Sequence, residues 1–431
     1  MVGDVIGEEC FESCPNNSDR QSGVGSTVHS PFDLDLPLRN GHGSFVSGVI
    51  TSAGAVAALG IAPSAGIFAY KAAGSAGFDI DAVFGALDHI LSVTLQRYSV
   101  GLPPLTPIIN MSFGGGSYPA GTCATDQPLV DATLGYLRLF GVLPIASSGN
   151  DAQKSSMKWP ACSTPVVSVG ATYDADVGYQ DYHNSLGNFI CEDVTSAVDG
   201  AACLSNATTD LDMLGPGALT TAPWPGGGTL TGAGTSAAAP HVAAVAALMK
   251  QARPNLTPAQ LEERLEETGT WVDDDLNDGN PASTLWKPRI DARVALLTND
   301  AADYDQDGCS NGEEFGTNVE LGGQRNPLDF WDFFDTPSPT RNKLVDLNND
   351  IFGVAGRFGA NDNGGMAPIN RNSNPLTTPA PPVPAYHPAF DRSPAIGPNA
   401  WNLGPPDGII DLFNDILPVA AQFGHTCEAA P

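Results

Sequence analysis

Basic residues are scarce in this sequence. Of 431 residues only 19 are Lys or Arg, against 48 Asp or Glu, for a formal net charge of −29. Only 16% of residues are charged, so the imbalance reflects missing bases more than a flood of acids. Without clustered Lys and Arg there is little to neutralise phosphates. That argues against nucleic acid as the main partner and against an anionic membrane surface. Long apolar runs are also lacking. The most apolar stretch, 55–73, is broken by Gly60, Pro63, Ser64, Gly66 and Lys71, so no run of about 20 residues suits a membrane span. The opening residues carry neither a basic patch nor an apolar core, so they do not read as a signal peptide. No Cys-x-x-Cys pair with partner histidines occurs, which removes the usual zinc pattern.

Hydrophobic residues, at 42%, are ample for a buried core. The length suits two or three domains. Cysteines stand at 10, 14, 123, 162, 191, 203, 309 and 427. They read as disulfides made in an oxidising compartment, with the pairing left open.

Residues 1–298 read as one α/β unit. Strand-like runs at 66–70, 107–111, 141–146 and 165–169 alternate with helical patterns at 45–59, 79–95, 128–140, 237–253 and 257–268. Such alternation predicts a mainly parallel sheet with helices on both faces. Thr257, Pro258 and Gln260 predict a capped helix start. Small acidic, mainly helical modules follow: a loop segment over 299–335 and a repeat pair over 336–431. The repeat pairs Val345-Asp-Leu-Asn-Asn-Asp-Ile351 with Ile410-Asp-Leu-Phe-Asn-Asp-Ile416, an offset of 65 residues (346 to 411). A Pro- and Asn-rich stretch, 360–406, lies between them and reads as a linker with little structure. Packing of Ile351 and Phe358 against Ile416 and Phe423 would join the two copies.

Three short motifs carry chemistry. In Gly232-Ala-Gly-Thr-Ser-Ala-Ala-Ala-Pro-His241, glycines admit a close backbone approach, and Ser236 heads a small-residue helix where N–H groups favour negative charge. An N-cap serine is the plain alternative. Ala238 stands where a nucleophile elbow needs its second glycine. In Asn40-Gly-His-Gly-Ser-Phe-Val-Ser-Gly48, His42 sits between glycines before an apolar helix; a helix-start histidine with no task is the alternative. In Ile145-Ala-Ser-Ser-Gly-Asn150, an apolar strand ends in an amide side chain that can donate to an oxyanion, or simply shape a turn.

Together, and in this order, these motifs resemble the subtilisin-like (subtilase) serine peptidases. Asn110-Met-Ser-Phe-Gly-Gly115, Gly60-Ile-Ala-Pro-Ser-Ala65 and Leu211-Asp-Met-Leu-Gly-Pro-Gly217 resemble further landmarks of that family. Ser44, Ser47 and Phe45 depart mildly from its histidine motif. The resemblance implies a serine endopeptidase acting on proteins or peptides through an acyl-enzyme. Ser236 would be the nucleophile, His42 the base and Asn150 the oxyanion donor. Ser112, Phe113 and Gly114 would line one side of the cleft, and Ala146, Ser147 and Ser148 the first specificity pocket. No acid is recognisable at the pocket base, so an apolar or broad preference is expected.

The family also needs an aspartate at the end of an apolar strand ahead of the histidine. Asp4 is the only acid near that place, and too few residues precede it to form a strand. Residues 1–11 resemble instead the stretch that follows the family's aspartate loop. The aspartate strand and the export signal are therefore expected upstream of Met1. Without that strand, activity should be weak and a sheet edge exposed. The alternative is a non-catalytic, calcium-dependent surface binding protein on a degraded protease fold.

In Asp303-Tyr-Asp-Gln-Asp-Gly-Cys-Ser-Asn-Gly-Glu-Glu314, the residues Asp303, Asp305, Asp307, Asn311 and Glu314 fall on the ligand positions of a calcium loop, and Gly308 on its tight turn. The spacing resembles thrombospondin type 3-like repeats; a solvated acidic turn is the alternative. Structural calcium and no organic cofactor are expected, in an extracellular or cell-surface setting. The repeat pair resembles dockerin halves, which implies a protein partner for the C-terminal region. Leu403 and Pro405 replace two dockerin ligands and Asn342-Lys343 replaces Asp-Gly, which weakens the case for calcium there.

Overall fold

The computed structural model describes residues 5–27, 41–74, 77–123, 126–184, 186–274, 285–297, 299–316, 318–337, 341–361 and 383–427. Two compact units emerge, one of Met1–Glu266 with Asp273–Ile290, the other of Glu267–Val272 with Asp291–Pro431.

The first unit is built on parallel strands. They are β1 (Val5–Cys10), β2 (Ile67–Lys71), β3 (Ile108–Met111), β4 (Leu143–Ser147), β5 (Val167–Tyr173), β6 (Met213–Ala218) and β9 (Trp286–Arg289), with a hairpin of β7 (Thr220–Trp224) and β8 (Gly228–Gly232) after β6. The helices are α1 (His42–Thr51), α2 (Ile80–Ser99), α3 (Pro128–Leu139) and α4 (Thr235–Ala252). The larger sheet includes the run β9–β6–β5–β4–β3, all in parallel. Its central strands β4 and β5 are buried throughout, which suits their near-continuous apolar sequence. Helices α2 and α3 close one face: Val83, Leu87, Ile90, Val130, Leu134 and Leu137 pack with Met111 and Ala146. On the other face α4 lies close, because Gly215 and Gly217 leave room; a Cβ on Gly217 would stand 2.9 Å from the Gly234 carbonyl oxygen.

Strands β1 and β2 form a separate parallel ladder, extended antiparallel by Gln21–Ser22. Among the described residues β2 and β3 are both edge strands and do not bond to one another. All of β2 and most of β3 are half-buried, unlike β4. Asp4 lies outside the described residues, as do 28–40.

The helix expected over 45–59 stops at Thr51. Gly54 has φ +78°, and a Cβ on Gly60 would lie 2.5 Å from the Ile50 carbonyl oxygen, so the chain folds back there. Thr257 and Gln260 do form a capping box: the Gln260 side chain accepts from the Thr257 N–H and the Thr257 hydroxyl accepts from the Gln260 N–H.

In the second unit, regular helix is confined to short pieces among the described residues. These are Ala292–Ala295, α5 (Asn311–Glu314), α6 (Phe352–Ala355) and α7 (Leu417–Ala421). Each of the last two follows a π-type turn, Leu347–Ile351 and Leu412–Ile416, at matching repeat positions. The expected linker is only partly free to be one. Residues 362–382 lie outside the described residues, but Ala389, Phe390, Arg392 and Leu403 are buried. Arg392 stacks over Trp331 and Phe334 at 4.8 and 4.1 Å, which explains how a charged residue in a Pro-rich stretch comes to be core. Ile351 and Ile416 pack on that core. Phe358 and Phe423 do not: each follows its helix end and is more than half exposed.

The eight cysteines pair as Cys10–Cys14, Cys123–Cys162, Cys191–Cys203 and Cys309–Cys427. Among the described residues no helix is long and apolar enough to cross a membrane.

Candidate active site and acidic loop

Ser236 lies in the first turn of α4. Its preceding residue but one, Gly234, caps the helix without a side chain, so Ser236 is not the N-cap that the plain alternative would make it. Pro240 has no N–H to give the Ser236 carbonyl. His42 opens α1. A Cβ on Gly41 would strike the Trp224 ring at 2.4 Å, and one on Gly48 would strike Pro223 at 2.5 Å, so α1 seats directly on β7. Phe45, Val46 and Val49 of α1 share a core with Ala222 and with Ala237, the neighbour of Ser236. This packing brings the starts of α1 and α4 together. Burial pushes the His42 imidazole below its ordinary pKa, which keeps it neutral and able to accept a proton at neutral pH. Among the described residues no carboxylate bonds to it.

Asn150 is held by its amide oxygen, which accepts from the Thr235 N–H at 2.8 Å and from the Thr235 hydroxyl at 2.9 Å. An N–H can pair only with the oxygen, so the Asn150 amide nitrogen is the end left to donate. That nitrogen would lie 3.2 Å, and the Ser236 hydroxyl 3.4 Å, from a Cβ placed on Gly234. Glycine therefore leaves a gap between the Asn150 amide and the Ser236 hydroxyl that any side chain would fill. Gly149 has φ +119°, and a Cβ there would meet Asn206 at 2.5 Å. Fully buried Asn206 accepts from the N–H groups of Asp151 and Gln153 and donates its own N–H to the Gly149 carbonyl. Thr235 and Asn206 are thus positioning residues that the motifs did not single out; Thr235 at least adjoins the serine.

Ser112, Phe113 and Gly114 leave the end of β3. The Ser112 hydroxyl accepts from the Asn110 amide at 2.9 Å, Phe113 packs at a tilt against Phe78 with ring centroids 5.1 Å apart, and Gly114 abuts Lys158. Ala146, Ser147 and Ser148 are buried at the end of β4. The Lys158 N–H donates to the Ser148 carbonyl, while the Lys158 side chain lies beside both Gly114 and Gly149. The strand around Lys158 therefore backs both groups of residues, a role no sequence pattern announced.

A model described as the subtilase family matches residues 16–294. The chain belongs to the subtilase family. It is 31% identical over 247 residues to subtilisin BL of Lederbergia lenta, covering 57% of this chain and 76% of that protein. It is 30% identical over 247 residues to alkaline elastase YaB of Bacillus sp. (strain YaB), where the match covers 54% of the relative. The chain thus spans only about half the length of some relatives it matches. Among solved structures, sphericase aligns with a TM-score of 0.45 at 23% identity, over 62% of this chain and 76% of that one.

Beyond the subtilase unit, carboxyl oxygens of Asp303, Asp305 and Asp307 lie within 4.8 Å of one another. Those of Asp307, Glu314 and Asp332 do so as well. Burial and neighbouring carboxylates push Asp305 up to about 10 and burial pushes Asp307 up to about 7; Glu314 and Asp332 are raised too. Asn311, expected as a ligand, is otherwise engaged. Its amide oxygen accepts from the Tyr304 N–H and its amide nitrogen donates to the Asn299 carbonyl. Asp332, eighteen positions past Glu314, had no signal in the loop's spacing.

The repeat aspartates are wired differently. Asp335 accepts from the N–H groups of Asn342 and Lys343, and Asp391 from those of Asp407 and Gly408. Asp350 accepts from Thr336 and Asp346, and Asp415 from Arg392 and Asp411. The copies match pair for pair, and backbone donors occupy most of the oxygens that a dockerin-like cation would need. Leu403, at one of those ligand places, is fully buried core.

Proposed function

We propose that the subtilase unit hydrolyses peptide bonds with Ser236 as nucleophile. In this reading the Ser236 hydroxyl oxygen bonds to the substrate carbonyl carbon while His42 takes its proton. The C–N bond then breaks, His42 returns the proton to the leaving amine, and water repeats the cycle on the acyl-enzyme. The Asn150 amide nitrogen donates to the oxyanion. The observation that carries the reading is the orientation of Asn150: Thr235 takes up its oxygen, so a donor faces the gap beside Ser236. Ser112–Gly114 and Ala146–Ser148 line the cleft, and the absence of a recognisable acid there favours an apolar or broad preference. Paired cysteines and strong net acidity suit action outside the cell.

One observation favours a second reading, a non-catalytic binding protein: no carboxylate among the described residues orients His42. Labelling by a fluorophosphonate probe separates the two. Labelling of the intact chain that is lost in Ser236→Ala supports the peptidase. A folded chain that takes no label defeats it.

A further inference from the structure

The acidic cluster of the second unit has a property that surface acids lack. Asp307, Glu314 and Asp332 are each fully buried, yet several of their oxygens have no hydrogen-bond partner. Each aspartate anchors one oxygen on backbone. Asp305 accepts from the Asp307 N–H, Asp307 from the Cys309 N–H, and Asp332 from the Asn326 N–H. The second oxygen of each is unpartnered, and so are both oxygens of Glu314. Burying carboxylates against one another without donors costs several kcal/mol per ion, more than a unit of marginal stability sustains.

The two basic side chains whose charge reaches Asp307 form no hydrogen bond to these oxygens: Arg341 donates to the carbonyls of Asp335 and Gln306. Buried Arg325 spends its N–H groups on the carbonyls of Asp332, Val319 and Gly323, on the Gln422 amide oxygen and on His425. What remains is a set of unpartnered oxygens, one each from Asp305, Asp307 and Asp332 and a pair from Glu314, on carboxylates that fall in two close triads sharing Asp307. Oxygen-only ligation with a carboxylate able to bind through both atoms suits calcium, a hard ion of flexible geometry, better than zinc or magnesium.

We propose that Asp305, Asp307, Glu314 and Asp332 hold one calcium ion, with Asp332, from outside the loop, replacing Asn311 in the ligand set. This goes beyond the peptidase reading and is independent of it. Asp303 stands at the exposed rim. The consequence follows from where Asp332 sits. Its neighbour Trp331 is fully buried, and both Trp331 and Phe334 carry the stacked Arg392, whose backbone N–H donates to Asp415 of the second repeat. The Arg392 side chain also donates to the Trp331 carbonyl. Calcium thereby fixes segment 326–335, which in turn carries the repeat core, so the ion orders more than its own loop.

The test uses the full chain carrying Ser236→Ala, which silences any proteolysis. Calcium is titrated by calorimetry, with magnesium as comparison, and amide hydrogen exchange is followed in calcium and in EDTA. Binding is expected in the range of about 10⁻⁴ to 10⁻³ M or tighter, as for extracellular calcium modules. Calcium should protect 326–335 as well as 303–314. Asp332→Asn should weaken calcium by about tenfold or more. In EDTA that variant should melt higher than its parent, because it removes a buried unpaired charge; a merely structural Asp332 would make it melt lower. No calcium uptake at about 10 mM overturns the proposal, since that is well above the weakest such sites. So does protection confined to 303–314, which needs no ligand variant to fold. Calcium binding by Asp332→Asn at the parent's affinity overturns it as well.

Discussion

Asn206 in the first unit and Glu314 in the second are both fully buried, yet their side chains meet opposite surroundings. The Asn206 oxygen accepts two backbone N–H groups, whereas neither Glu314 oxygen accepts anything. The contrast extends to neighbours. Asp193 accepts from the Tyr173 hydroxyl and the Cys203 N–H, and Asp212 from the N–H and hydroxyl of Ser168. These three side chains of the subtilase unit find their partners within the chain, although a few other buried polar atoms there, the Ser148 hydroxyl among them, do not, and around Asn206 the result is a loop that holds one amide towards one serine. In the acidic loop the partners are missing as a set, and the proposed calcium ion is what would supply them. A buried acid is therefore informative in proportion to what it lacks.

The comparison can be broken from the subtilase side, starting with the largest effect. Asn150→Ala removes the aimed donor; turnover should fall by about 10²–10³, the loss known for the same donor in subtilisin itself, with little change in KM. Equal losses in KM alone would mean that Asn150 binds substrate and does not serve the oxyanion. Asn206→Ala strands two backbone donors, which water can partly reach. The first unit should lose about 1–3 kcal/mol in denaturant melts. Any calcium-dependent transition of the second unit should stay put, and a shift in it would show that the wiring of the two units is not separate. Thr235→Val deletes the hydroxyl, which donates to the Asn150 oxygen and accepts from the Gly149 N–H, and leaves the backbone N–H bond to Asn150. A drop of about fivefold to thirtyfold in turnover is expected, since each of the two lost hydrogen bonds is worth about 1 kcal/mol. A fall as large as that of Asn150→Ala would make Thr235 the main anchor.

Much of the proposed catalytic arrangement was readable because its needs are local. Gly41, Gly48, Gly149 and Gly234 each sit where a Cβ would collide or fill the reactive gap, so the glycines announced His42, Asn150 and Ser236 beside them. Asn206 gave no such sign: its partners are more than fifty residues away, and only the folded chain brings them together. Asp332 was invisible for the same reason, while Asn311, at a formal ligand position, proved to be spent on the backbone. Composition misled at 383–406, where proline and asparagine suggested a linker but two aromatic rings bury Arg392. The packing expected of Phe358 and Phe423 fails because both helices end before them and leave the rings more than half exposed.

The smallest expected effect concerns the imidazole and bears on the edge strands β2 and β3. Desolvation, with no facing carboxylate among the described residues, lowers the His42 pKa beneath 6.5. The protonated form is the one penalised, so the free base persists as pH falls and is lost only on crossing the folded pKa. Between the folded and unfolded pKa values the unfolded chain binds more protons. Folding therefore becomes slightly less favourable there as pH falls, by at most about 1.4 kcal/mol for each pH unit that separates the two values. The rate of fluorophosphonate labelling of Ser236 should accordingly keep its plateau below pH 6.5 before falling. A carboxylate beside the imidazole acts with the opposite sign, stabilising imidazolium and moving the acid limb upward. A limb at or above 6.5 would mean that an acid reaches His42 after all, and would remove the one observation that favours the binding-protein reading. A limb below it would leave the imidazole unsupported and make slow acylation the expected behaviour of this chain.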